Sequence, residues 1–198
     1  MSAIAGLGDE LAKIRVYIGN RPSYHFTYGQ GHLGLAPLTQ SHSQQVDSVQ
    51  GPILALKPGE IKAIGLACGN GWRKVFNVYA KLLYALGKSG LNIIDKHRFT
   101  SWQTYRDEQL LQTGSNTALW FEPYQARPAA QGSLNLIMGR TYAKSLNLPT
   151  NLLWLDTEFA IAPEFNIIVC PYFDYRQLSN IKIIRLVELI EEFSNGRY

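Results

Sequence analysis

Four short stretches of this chain carry side chains able to do chemistry, and each follows an apolar run. The first is Gly19-Asn20-Arg21-Pro22-Ser23, followed closely by Tyr24, His25, Phe26 and Tyr28. An amide such as Asn20 can orient a water or read a base edge, and an aromatic ring can stack on a planar ligand. His25 is the one His set against a strand end; His32, His42 and His97 fall in loops. A rigid turn whose rings cover a sheet edge uses the same residues, so both readings stand. The second stretch is Gly69-Asn70-Gly71, just before a helical pattern. Small residues there let backbone N–H groups approach an anion at the positive end of a helix, and they equally suit a turn and cap. The third is Gly139-Arg140-Thr141, again at a helix start, where Arg140 can meet a phosphate or carboxylate. The fourth, Pro171-Tyr172-Phe173-Asp174-Tyr175-Arg176, puts two phenols, a carboxylate and a guanidinium in six residues. Asp174 can serve as a base or simply pair with an Arg.

Other chemistries find little footing. The chain has no G-x-S-x-G elbow, no Gly-Lys-Ser/Thr phosphate loop and no G-x-G-x-x-G. Cys68 and Cys170 close apolar runs, where a thiol packs rather than reacts. No C-x-x-C or Cys/His cluster points to a metal, and no motif implies a cofactor. Asp156 and Glu158 flank a strand end, at a spacing that is nonspecific.

Those stretches must be held by a folded scaffold, and composition allows one. With 198 residues, 46% hydrophobic and 17% charged, residues 1–198 are expected to form a single domain with a real core. The net charge of +4 is compatible with an anionic partner, but its Lys and Arg are scattered rather than gathered in a dense stripe. Charged or small polar residues interrupt every apolar run, so no membrane span is expected. The start, MSAIAGLGDELAK, lacks the pattern of a secretory signal. Reduced thiols in the cytoplasm are the simplest expectation.

Periodicity then lays out the elements. Lys13 to Ile18 alternates as a strand, after a short helix or frayed arm over residues 1–12. Residues from Gly19 to Pro58 read as long loops, with a short edge strand at Ile53 to Leu56. IKAIGLAC, Ile61 to Cys68, reads as a second strand, and Trp72 to Leu86 as an amphipathic helix ended by Gly87. A helix is predicted at Trp102 to Gln112 and a strand at Thr117 to Glu122. LNLIMGRTYAKSLNLP reads as strand, Gly139 and short helix, stopped by Pro149. Further strands are predicted at Asn151 to Asp156 and Phe165 to Cys170. Ser179 or Asn180 caps a last helix, Ile181 to Phe193. Strands alternating with helices predict an α/β domain with a short, largely parallel sheet. In such sheets ligands sit outside the carboxyl ends of the strands, where the loops after Ile18, Cys68, Phe121, Met138 and Cys170 are expected.

The order of these loops resembles the uracil-DNA glycosylase superfamily, most nearly its mismatch-specific uracil/thymine branch. IRVYIGNRPS is similar to that family's first strand and Gly-x-Asn-Pro-Gly turn. GNGWRKVFNVYAKLLYALG resembles its helix with an Asn-x-Phe-Trp-like start, and LNLIMGRTYAKSL its later strand-Gly-helix element. IIVCPYFDYRQLSNIKIIRLVELIEEF is similar to its last strand, Pro-containing loop and final helix. The resemblance implies a three-layer α/β sandwich that flips a base from DNA and cuts its glycosidic bond. An Asp or Asn of the first loop would handle water, an aromatic would stack on the base, and a His or Asn of the last loop would assist its departure.

Two positions depart from that pattern. The water-positioning place falls on Arg21, with Asn20 one residue early, and the His or Asn place of the last loop falls on Tyr172. The duplex-wedge place falls near Leu178. The expectation is therefore a glycosylase-like domain that binds a nucleobase, nucleotide or nucleic acid, with catalysis changed or lost. Asn20 and Asp174 are its candidate catalytic residues, and Arg21, Tyr24, His25, Phe26, Asn70, Arg140 and Tyr172 its binding residues. A hydrolase or transferase acting on a small anionic metabolite, and a non-enzymatic interaction domain, are the alternatives.

Overall fold

The computed structural model describes residues 4–26, 52–87, 98–125 and 132–196. Tyr28, His32, His42 and His97 lie outside the described residues, as does most of the long predicted loop before Ile53. Eight strands form one mixed sheet: β1 (Gly6–Gly8), β2 (Ile14–Tyr17), β3 (Ile53–Leu54), β4 (Thr117–Trp120), β5 (Leu134–Met138), β6 (Leu153–Trp154), β7 (Ala160–Ala162) and β8 (Ile167–Cys170). Their order across the sheet is β3-β1-β4-β2-β5-β8-β7-β6. The central block β4-β2-β5-β8 is parallel throughout. Antiparallel pairing appears on both flanks, at β1 with β4 and along β8-β7-β6. The expected α/β class is therefore correct, but the sheet is larger and more mixed than a short parallel one.

Among the described residues five α-helices accompany it: α1 (Glu60–Cys68), α2 (Asn70–Leu86), α3 (Trp102–Glu108), α4 (Arg140–Ser145) and α5 (Asn180–Ser194). Strand alternation sorts the core onto two faces. Val16, Leu136, Ile168 and Cys170 join the cluster built by α1, α2 and α5, with Ile64, Phe76, Tyr79, Leu83 and Leu186. Tyr17, Ile137, Ile167 and Val169 join the opposite cluster, with Ala143 of α4. The central strands are thus buried on both faces, which is why IIVC, Ile167–Cys170, reads as an unbroken apolar run.

Two predicted elements are wrong, and both errors have a local cause. IKAIGLAC is helix α1, not a strand. Ile61, Ile64 and Gly65 are its buried residues, at helical spacing, whereas Leu66 points to solvent. Pro58-Gly59-Glu60 was the start signal: the Glu60 carboxylate accepts the Lys57 backbone N–H at 2.6 Å. The N-terminal arm is strand β1 rather than a helix. Its glycines hide the strand pattern because β1 lies so close to β4 that a Cβ on Gly6 would sit 2.6 Å from the Leu119 carbonyl oxygen. Strand β7 went unpredicted because its three small or short apolar residues follow a tight turn. There the Asp156 carboxylate accepts the N–H groups of Glu158 and Phe159 at 2.6 and 2.8 Å.

Candidate functional site

Since β4, β2, β5 and β8 are parallel, their carboxyl ends meet at one edge of the sheet. The order of use changes direction between β2 and β5: the chain places β4 on one side of β2, and β8 beyond β5 on the other. Ligand crevices of open α/β sheets form at such a reversal. Gly19, Asn20 and Arg21 leave β2 there, Phe121 and Glu122 leave β4, Gly139 leaves β5, and Pro171 and Tyr172 leave β8.

One hydrogen bond ties this rim together. The Tyr172 hydroxyl donates to Asn20 Oδ1 at 3.3 Å, across 152 residues of sequence. The floor between them is tight. A Cβ on Gly19 would lie 2.8 Å from Cδ2 of Tyr142, so only glycine lets the backbone pass against that ring. Burial raises the pKa of Tyr172, the Asn20 bond works against that rise, and nearby Asp174 adds to it. The phenol is thus a neutral donor at physiological pH. Burial also raises that of Tyr142, assisted by the charge of Glu122, and the Tyr142 hydroxyl is buried with no hydrogen-bond partner among the described residues.

Charges at the rim are already matched. Arg21 pairs with Glu122 at 3.0 Å and lies over the Phe121 ring, 5.6 Å from its centroid. Asp174 accepts from Lys74 Nζ at 2.7 Å and from the Arg176 backbone N–H at 2.9 Å. The Lys74 bond, foremost, holds its carboxyl below the usual carboxylate range. Asp174 thus pairs with a lysine of α2 rather than with an arginine. Arg140 turns toward the β6–β7 hairpin, donating to the Thr157 carbonyl at 2.9 Å and lying over the Trp154 ring. Tyr24 and Phe26 pack edge to face, 5.1 Å apart, and both lean on the main core, while His25 is exposed.

The structure brings Asn20, Arg21 and Tyr172 to one rim and separates the others. Asn70 is not at a strand end, because Cys68 closes helix α1; it begins α2 and lines a groove on the helical layer. Leu178 is buried, so it is no exposed wedge. Cys170 is buried in β8, and burial pushes its thiol pKa up, as packing thiols require. Asp156 and Glu158 are taken up by Arg185 and Lys182, both at 2.6 Å. Two rim residues escaped sequence reasoning. Glu122 had a usable signal, a carboxylate straight after an apolar strand; Tyr142 had none, because its place depends on α4 folding back against Gly19.

A family model matches residues 5–191, nearly all of the sheet and helices just described. The chain belongs to the family of unknown function DUF6942. No curated protein and no solved structure matches this DUF6942 chain. Among the described residues of the DUF6942 domain, no group of three His, Cys, Asp or Glu is placed to hold a metal ion. No helix among them is long and apolar enough to cross a membrane.

Proposed function

We propose that this domain binds a nucleobase, nucleotide or nucleic acid at the rim formed by Asn20, Arg21, Glu122, Tyr142 and Tyr172. The observation that carries the reading is the Tyr172–Asn20 hydrogen bond, which unites the first and last of the four loops whose order resembles the glycosylase motifs. The parallel block β4-β2-β5-β8 and the helices on both faces support the sandwich which that resemblance implies. A neutral planar base, free or carried by a nucleotide, suits the rim, because its groups able to read a ligand are an amide, a phenol and ring faces rather than unpaired charges. Asn20 offers its amide N–H groups to a base edge or a water; Tyr172, whose one proton goes to Asn20 Oδ1, offers an oxygen lone pair.

Ordinary base excision is not expected. Asp174, the nearest carboxylate of the last loop, is held ionised by Lys74 and faces the helical layer, so it positions that lysine rather than activating water. If a hydrolytic step survives, Asn20 orients the water. Calorimetric titration with deoxyuridine monophosphate tests the reading. The unmodified chain should bind, Asn20→Ala and Tyr172→Phe should weaken binding about tenfold, the loss of one hydrogen bond to a ligand, and both variants should melt near the parent temperature. Unchanged affinity in both variants would remove the rim from consideration.

A further inference from the structure

On the helical layer, beside the rim, lies a groove of about 760 Å³ between α1, α2 and α3. Among the described residues, five cations line it, Lys62, Arg73, Lys74, Lys81 and Arg106, against a single carboxylate, Asp107. That local excess is as large as the net charge of +4 carried by the entire chain. Asp107 is already paired with Arg106 at 2.7 Å, and Lys74 with Asp174. Lys62, Arg73 and Lys81 form no ion pair with any described residue. Fields from such a one-signed cleft add up and draw anions to it.

The groove is built rather than incidental. Arg73 lies across α1 where Gly65 leaves room for it: a Cβ there would sit 2.6 Å from Arg73 Cγ. Trp102 carries Lys81 and Arg106 over its ring at 5.1 and 5.6 Å, and Tyr175 carries Lys74 at 4.9 Å. These rings hold three of the five cations, Lys74, Lys81 and Arg106, at the groove. Arg73 and Lys81 stand eight residues apart on α2, about 12 Å along its axis. That span suits several successive charges better than one phosphate.

We infer that this groove binds the phosphodiester backbone of a single-stranded nucleic acid, without regard to sequence. The choice of a phosphodiester over an acidic peptide rests on the rim reading, because the β8–α5 loop borders both places. Tyr172 faces the rim and Tyr175, three residues on, faces the groove. A strand with a base at the rim carries its neighbouring phosphates toward α2.

Fluorescence anisotropy of a labelled oligothymidylate tests the inference on the full chain. With three free cations engaged, log Kd should rise with log salt at a slope of about 2, or about 20-fold weaker binding between about 50 and 200 mM salt. The triple variant Lys62→Ala/Arg73→Ala/Lys81→Ala should lose most of the affinity and nearly all of that slope. These side chains are outside the core, so its melting temperature should match the parent's. Retained affinity and slope in the triple variant would overturn the groove site. Equal competition by an oligoglutamate of matched charge would overturn the phosphodiester assignment. The rim reading fails separately: in that case the triple variant still loses the oligonucleotide, while Asn20→Ala and Tyr172→Phe leave mononucleotide binding unchanged.

Discussion

The rim of the sheet and the groove beside it are made from opposite materials. At the rim, Arg21 meets Glu122, leaving amide, phenol and ring faces, while Asp174 and Arg140 turn away to Lys74 and to the Thr157 carbonyl. In the groove, Lys62, Arg73 and Lys81 form no ion pair among the described residues. Matched charges favour a neutral partner, since a second ion would have to displace the first; unmatched cations favour an anion. Under the proposal a base goes to one region and phosphates to the other, and helix α2 joins them. Its Trp72 packs edge-on against Phe121 at the rim, and its Arg73, Lys74 and Lys81 line the groove.

That shared helix offers the most severe way to break the comparison. Phe76 is fully buried under α2, so Phe76→Ala should cost about 3–5 kcal/mol in urea unfolding and abolish both binding activities. A loss confined to one region would show that α2 does not couple them. Next in size is Gly19→Ala. Its new methyl meets the Tyr142 ring and should cost about 1–3 kcal/mol, with mononucleotide binding lost and oligonucleotide binding retained.

Asp174→Asn sharpens the contrast from the electrostatic side. Freeing Lys74 adds a fourth unpaired cation, so the salt slope for oligothymidylate should steepen by about 0.7. Stability should respond as well. The folded carboxyl titrates below its unfolded value, so the stability it contributes is fully present above about pH 4 and is lost as pH falls through the folded value. Asp174→Asn should therefore flatten part of the acid limb of a melting-temperature profile, by about 1 kcal/mol or less at neutral pH. The smallest effect belongs to Tyr172→Phe. Its bond to Asn20 is long and partly exposed, so thermal unfolding should move by less than about 1 kcal/mol while rim binding falls.

Much of this scaffold is legible from residue order alone, for reasons that differ by element. Strands β2 and β8 announce themselves by β-branched residues, β5 by its apolar residues before Gly139, and α2 by apolar residues at helical spacing. IKAIGLAC misleads because a nine-residue helix with few polar residues mimics a buried strand; only its Pro-Gly-Glu start tells them apart. Strand β1 is hidden by glycines whose purpose is a close approach to β4, visible only once β4 is in place. The two halves of the rim were legible as loops after strands, and their union followed from the parallel sheet. The groove was not legible: Lys62, Arg73, Lys81 and Arg106 look scattered along the chain, and only the packing of α1, α2 and α3 gathers them.

The claim on which the account turns is that loops 152 residues apart form one ligand site. Amide hydrogen exchange with and without saturating deoxyuridine monophosphate tests it most directly. Residues 19–22 and 171–175 should gain protection together, in proportion to ligand bound. Protection of only one of the two segments, or of neither at saturation, would contradict it.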